Sequence, residues 1–156
     1  MSRRILFAIP LAVLLASVSA DAQQREAPYW ATIRAEKMFM RKGPSRDYKI
    51  EWVYQRPGLP LKVVRVAAGW RLVRDPAGDQ GWVAASLLSP ERGAVVVGEG
   101  LAAMRDAPAE NGKLKWNAEP GVVGRLGDCE AGWCEFDVAG RIGWVNADRL
   151  WGAGEP

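Results

Sequence analysis

The sequence predicts an all-β protein of two small modules in tandem, each with about five short strands. Two observations carry this. The first is an internal repeat. Met40-Arg41-Lys42-Gly43-Pro44 returns as Met104-Arg105-Asp106-Ala107-Pro108, and Pro57-Gly58 as Pro120-Gly121. Ala68-Gly69-Trp70 returns as Ala131-Gly132-Trp133, Gly81-Trp82-Val83 as Gly143-Trp144-Val145, and Ala85-Ser86-Leu87-Leu88 as Ala147-Asp148-Arg149-Leu150. The offsets are 64, 63, 63, 62 and 62 residues, so the landmarks keep their order and drift only as small loop changes allow. The second is the pattern within each copy. Short β-prone runs alternate with turn residues, and no long helical periodicity appears.

Taken in order, residues 1–22 read as an export signal. Arg3 and Arg4 precede an apolar run of 14 residues from Ile5 to Val18, short for a membrane-spanning helix. Ala20-Asp21-Ala22 gives a small-x-small cleavage pattern, with Val18-Ser19-Ala20 as a second option and an uncleaved anchor as the alternative. Cleavage at Ala20 or Ala22 places the mature chain in the periplasm or outside the cell, without stable membrane insertion.

The first module then reads as strands at Leu61-Lys62-Val63-Val64-Arg65-Val66, at Trp70-Arg71-Leu72-Val73-Arg74 and at Gly81-Trp82-Val83-Ala84. Asp75-Pro76-Ala77-Gly78-Asp79 is a turn, because Pro fixes φ and Gly permits positive φ. The second module repeats the scheme over residues 122–126, 133–138 and 142–145. Each has a longer, less regular segment upstream, residues 41–56 and 105–118, which reads as a long hairpin loop. The modules span residues 29–90 and 93–152. A module near 60 residues is marginal alone. Ser89-Pro90-Glu91-Arg92-Gly93 is too short for a loose tether, so packing of one module on the other is one remedy.

Cys129 and Cys134 suggest another. They flank the turn Glu130-Ala131-Gly132-Trp133, where facing hairpin positions can meet disulfide geometry, and export permits oxidation. A buried pair of free thiols is the alternative. The first module has Ala67 and Arg71 near the matching places.

Composition narrows the chemistry. The chain has 21 basic and 18 acidic side chains, a mixed balance without the clustered basic face that nucleic acid selects. It has no His, which removes Ser-His and Cys-His nucleophiles. With two Cys and no His, zinc is poorly supported. No catalytic site, metal or cofactor is expected.

The eight Trp are the remaining signal. Trp82 and Trp144, each between a turn Gly and a Val, read as core. Trp70 and Trp133 open a strand after a turn and suit core or groove rim equally. Tyr48, Trp52 and Tyr54 fall in the long loop segment of module 1, where only Trp116 answers them in module 2. Lys42, Arg46, Lys49 and Arg56 surround that loop, interleaved with Asp47 and Glu51, and read as a solvated rim or a weak attractor of carboxylates.

Met40-Arg41-Lys42-Gly43-Pro44-Ser45, Pro57-Gly58-Leu59-Pro60-Leu61-Lys62-Val63, Gly69-Trp70-Arg71-Leu72-Val73-Arg74-Asp75, Gly81-Trp82-Val83 and Ser86-Leu87-Leu88 together resemble the bacterial SH3-like (SH3b) domains of exported proteins. The resemblance runs from about Tyr29 to Trp151. It is weaker in module 2, where Asp106-Ala107-Pro108 replaces the usual Gly before Pro. It implies a small five-stranded barrel with a short 3₁₀ turn before its last strand, and attachment to cell wall or partner proteins. On that reading the ligand candidates are Tyr48, Trp52, Tyr54, Trp70, Trp116 and Trp133, with module 1 holding the groove. The expected function is non-enzymatic binding of a peptidoglycan peptide or an envelope protein. The alternative is a structural or assembly protein whose repeats pack on each other.

Overall fold

Backbone alternation explains the strands. In β2, Met38 and Met40 are buried while Phe39 and Arg41 are only partly so, the period of two that a strand with one face on a core requires. The computed structural model describes residues 25–156; the expected export signal, with the cleavage positions read at Ala20 and Ala22, lies outside the described residues. The first half runs β1 (Tyr29–Ile33), β2 (Met38–Arg41), β3 (Ile50–Tyr54), β4 (Pro60–Ala67), β5 (Trp70–Arg74), β6 (Gln80–Ala84), a 3₁₀ turn (Ala85–Leu87) and β7 (Leu88–Ser89). The second runs β8 (Gly93–Val96), β9 (Ala102–Arg105), β10 (Leu114–Ala118), β11 (Val123–Glu130), β12 (Trp133–Val138), β13 (Arg141–Asn146), a 3₁₀ turn (Ala147–Arg149) and β14 (Leu150–Trp151).

Each half is one seven-stranded sheet, in the orders β3-β2-β6-β5-β4-β1-β7 and β10-β9-β13-β12-β11-β8-β14. The second order is the first with every index raised by seven. The two tandem all-β halves are thus as the sequence predicts, but seven segments stand where about five were read. Part of the difference is that residues 41–56 and 105–118 are not simply loops. Each carries a strand, β3 or β10, paired antiparallel with β2 or β9.

One core sits inside each curled sheet. Ile33, Met38, Met40, Tyr54, Leu61, Val63, Val73 and Val83 form a single cluster, although they come from strands at both ends of the order. A flat sheet of seven strands would spread them over roughly 29 Å, so the sheet wraps around them. The repeated Gly-Trp-Val follows from this packing. A Cβ on Gly81 would collide with the Met40 side chain, and one on Gly143 would lie 3.0 Å from the Met104 Cβ. The inward positions are therefore Gly81 and Val83, or Gly143 and Val145, and the intervening Trp82 and Trp144 are half-buried on the other face rather than in the core.

The halves meet without a tether. Val95 of β8 is buried in the core cluster of the first half, with Val97, Val123 and Trp151 packed against it. The Trp30 and Trp151 rings meet edge to face at 4.8 Å, and Trp30 Nε1 donates to the Gly154 carbonyl at 3.1 Å. Thr32 Oγ1 donates to the Glu91 carbonyl, and Arg56 donates to the Gly121 carbonyl. The backbones approach closely because the contact is lined by glycine. A Cβ on Gly93 would lie 2.7 Å from Thr32 Cγ2 and 2.8 Å from the Gly58 carbonyl oxygen.

Candidate functional site

Strand β2, the loop after it, the start of β5 and the first 3₁₀ turn enclose a hollow of about 270 Å³. Its lining includes Phe39, Arg41, Arg46, Trp70, Ser86 and Leu87. Trp70 reaches it because the tight turn at Ala68-Gly69 ends there, with Gly69 at φ 72°. Arg41 is fixed by its loop: Nη1 donates to the carbonyls of Arg46 and Tyr48 at 2.8 and 2.7 Å. Its guanidinium also lies 5.8 Å from the Phe39 ring centre. The other half has a hollow of about 390 Å³ in the matching place, whose lining includes Ala103, Arg105, Glu110, Trp133, Asp148 and Arg149. There Arg105 Nη1 donates to the Gly112 carbonyl, while Nε is buried without a partner. The grooves share geometry and differ in charge. Among the described residues the first is lined by arginines with no carboxylate; the second mixes Arg with Glu and Asp.

The candidate aromatics do not converge on one site. Trp70 and Trp133 stand in the two equivalent grooves, Trp70 half-buried and Trp133 buried. Trp52 and Tyr54 are on β3, beside a separate cleft between the halves. Trp52 is 56 % exposed and Tyr54 is 6 % exposed. Tyr48, half exposed, stacks over Gly43, where a Cβ would lie 2.6 Å from its ring. The second half exchanges these sizes. Ala107 takes the place of Gly43 and Gly112 that of Tyr48, and a Cβ on Gly112 would lie 2.9 Å from the Ala107 carbonyl oxygen. The departure at Asp106-Ala107-Pro108 is therefore offset within its own loop. Trp116 is half-buried on β10 under the Lys115 ammonium, 4.5 Å from its ring.

Tyr54 is a structural group. Its hydroxyl donates to Asp75 Oδ2 at 2.8 Å, and Asp75 Oδ1 accepts from the backbone N–H of Ala77 and Asp79 at 3.0 and 2.9 Å. Burial, then the hydrogen bond and charge of Asp75, push the phenol well above its ordinary value.

A sequence profile described as the bacterial SH3 domain matches residues 34–90 and again residues 98–152. The chain belongs to the bacterial SH3 domain family. Among solved structures, the tandem SH3 chain is similar to NlpC1 from Trichomonas vaginalis, at 15% identity over 90% of this chain and 50% of that one, with a TM-score of 0.37. NlpC2 from the same organism is 12% identical over 82% of this chain and 49% of that one, also with a TM-score of 0.37. The tandem SH3 chain thus spans about half the length of each. No curated protein matches it significantly in sequence.

Within these SH3 modules, Cys129 and Cys134 are bonded to each other across the β11–β12 turn. Their register partners in module 1 are Val66 and Arg71, one place from the Ala67 read by spacing. Arg71 ties that turn differently: Nη1 donates to the carbonyls of Ala67 and Trp70, and Nε to the Tyr29 hydroxyl. Sequence reading missed Phe39 and Arg41 as groove residues. The repeat of Arg41 as Arg105 was the available signal, since an Arg kept beside two core methionines needs a fixed partner. Arg46, read as rim, lines the groove, whereas Lys42 pairs with Glu51 at 3.5 Å.

Proposed function

We propose that this is a non-enzymatic, exported binding protein whose first SH3 module holds an extended peptide bearing a carboxylate. Cell-wall peptide or a segment of an envelope protein supplies that chemistry. One observation carries the reading: Phe39 and Trp70 form apolar walls beside Arg41 and Arg46, with no acidic residue in the lining among the described residues. Aromatic walls grip an extended chain, and a nearby guanidinium orients a carboxylate. The second module, with Ala103 and Glu110 at the matching places, is the poorer site for the same ligand.

Co-sedimentation with purified peptidoglycan sacculi tests the proposal. Wild-type protein pellets saturably, while Trp70→Ala and Arg46→Glu each weaken pelleting at least tenfold. If wild type stays in the supernatant, wall binding falls and an envelope protein becomes the ligand to seek. The assembly alternative draws support from Val95 in the first core. It also calls for buried Trp throughout, and Trp52 at 56 % exposure runs against it.

A further inference from the structure

Strand β3 is an outer strand of the first sheet, so among the described residues its backbone groups facing away from β2 have no strand to pair with. Four of its five residues are exposed, including Ile50, Trp52 and Val53. Edge strands are ordinarily blunted by Lys, Pro or a bulge. The second sheet does so. Lys115 on β10 lies over Trp116 and donates to the Ile142 carbonyl at 2.5 Å. On β3 the position answering Lys115 is Glu51, which turns to Lys42, and the Trp answering Trp116 is the bare Trp52. Both edge strands carry a one-residue bulge, at Glu51 and at Lys115, but only the second adds a lysine over its Trp. Of the two edges in the repeat, one is therefore more guarded and the other more open.

The open edge continues into the cleft between the modules. That cleft, about 580 Å³, runs along the end of β3 and the two residues after it, from Trp52 to Arg56, and is flanked by Pro76, Ala77 and Val97. Its size and mostly apolar walls suit a ligand side chain, and junctions between domains are common places for such sites. Cations stand at both ends of the strand, Lys49 before it and Arg56 after it.

We propose that the β3 edge and the inter-module cleft together bind an extended segment of another protein as an added strand, apolar at alternate positions and acidic at both ends. The unpaired backbone selects a polypeptide, because alternate N–H and C=O groups match another strand. Trp52 and the cleft take the apolar side chains on one face. Lys49 and Arg56 take the acidic ends. A second copy of this chain fits poorly: antiparallel self-pairing centred on Trp52 brings each Lys49 next to the other copy's Arg56. This site is separate from the Trp70 groove and does not depend on it.

The test titrates the full chain with an acetylated, amidated seven-residue peptide, aspartate at each end and alternating valine and threonine between, followed by amide NMR. Saturable shifts centred on residues 50–56 and 97 are expected, with slowed hydrogen exchange at the outward amides of β3. Replacing the terminal aspartates by lysine weakens binding at least tenfold, as does N-methylating alternate peptide amides. Trp52→Lys, a change at an exposed position, has the same effect. No saturable binding, shifts mapping to the Trp70 groove, or indifference to N-methylation would each overturn the proposal. So would a concentration-dependent dimer, seen by sedimentation without peptide, that Trp52→Lys dissolves.

Discussion

Tyr54 and Asp75 show how one polar contact can hold a small core. The Tyr54→Phe variant keeps the ring but leaves Asp75 Oδ2 without its buried donor. A lost hydrogen bond to a charged acceptor costs about 2 kcal/mol, and urea unfolding at neutral pH measures it. The pH dependence has a definite sign. The folded phenol sits above its ordinary value of 10.0, so the unfolded state releases its proton first as pH rises. The contribution is complete below that value and declines above it. The difference in stability between wild type and Tyr54→Phe is therefore flat below about pH 10 and shrinks beyond it; a constant difference through that range would refute the assignment. The sequence showed Tyr54 as an aromatic near a loop but not its role. Its partner lies in a turn 21 residues away, and only the fold brings them together.

At the scale of elements, the β11–β12 hairpin and its counterpart in module 1 solve the same problem by different means. Module 2 closes its turn with the Cys129–Cys134 bond, and module 1 with the Arg71 guanidinium. Closing so short a loop stabilises by roughly 2 kcal/mol in the chain-entropy view. Reduction is expected to lower the urea midpoint accordingly, while Arg71→Ala lowers it in either redox state; an unchanged midpoint on reduction would mean the hairpin is held by its packing alone. This hairpin was readable because two Cys flank a turn. The strands β3 and β10 were not, because Gly, Pro, Asp and Asn in residues 41–56 and 105–118 look like loop. Those residues do form the loop, but only over residues 42–49 and 106–113, and the strand follows it.

At the scale of the whole molecule, the repeat announced two modules and the short join announced their packing. What it concealed was the asymmetry of the packing. Val95 belongs by sequence to the second module and by burial to the first core, and no spacing rule displays that. The expected result is one cooperative thermal transition for the chain, with the calorimetric and van't Hoff enthalpies equal. Trp30→Ala removes a buried ring seated against Trp151, and a loss of about 3–5 kcal/mol is expected. Gly93→Val drives a side chain into Thr32 and the Gly58 backbone. It should split the transition in two or lower it as a whole; calorimetry indistinguishable from wild type would show that the contact is not built as described.

That borrowed valine has a consequence for ancestry. Two identical copies fresh from a duplication, each filling its own interior however marginally, could be lost, multiplied or traded singly. Once a residue of one copy fills the interior of the other, cutting between them leaves a hole on one side and a bare apolar side chain on the other. Recombination can then pass on the pair intact but not its members. By its packing, the smallest piece of this protein that can be cut out without a hole is the double module, although its sequence still spells the single one twice.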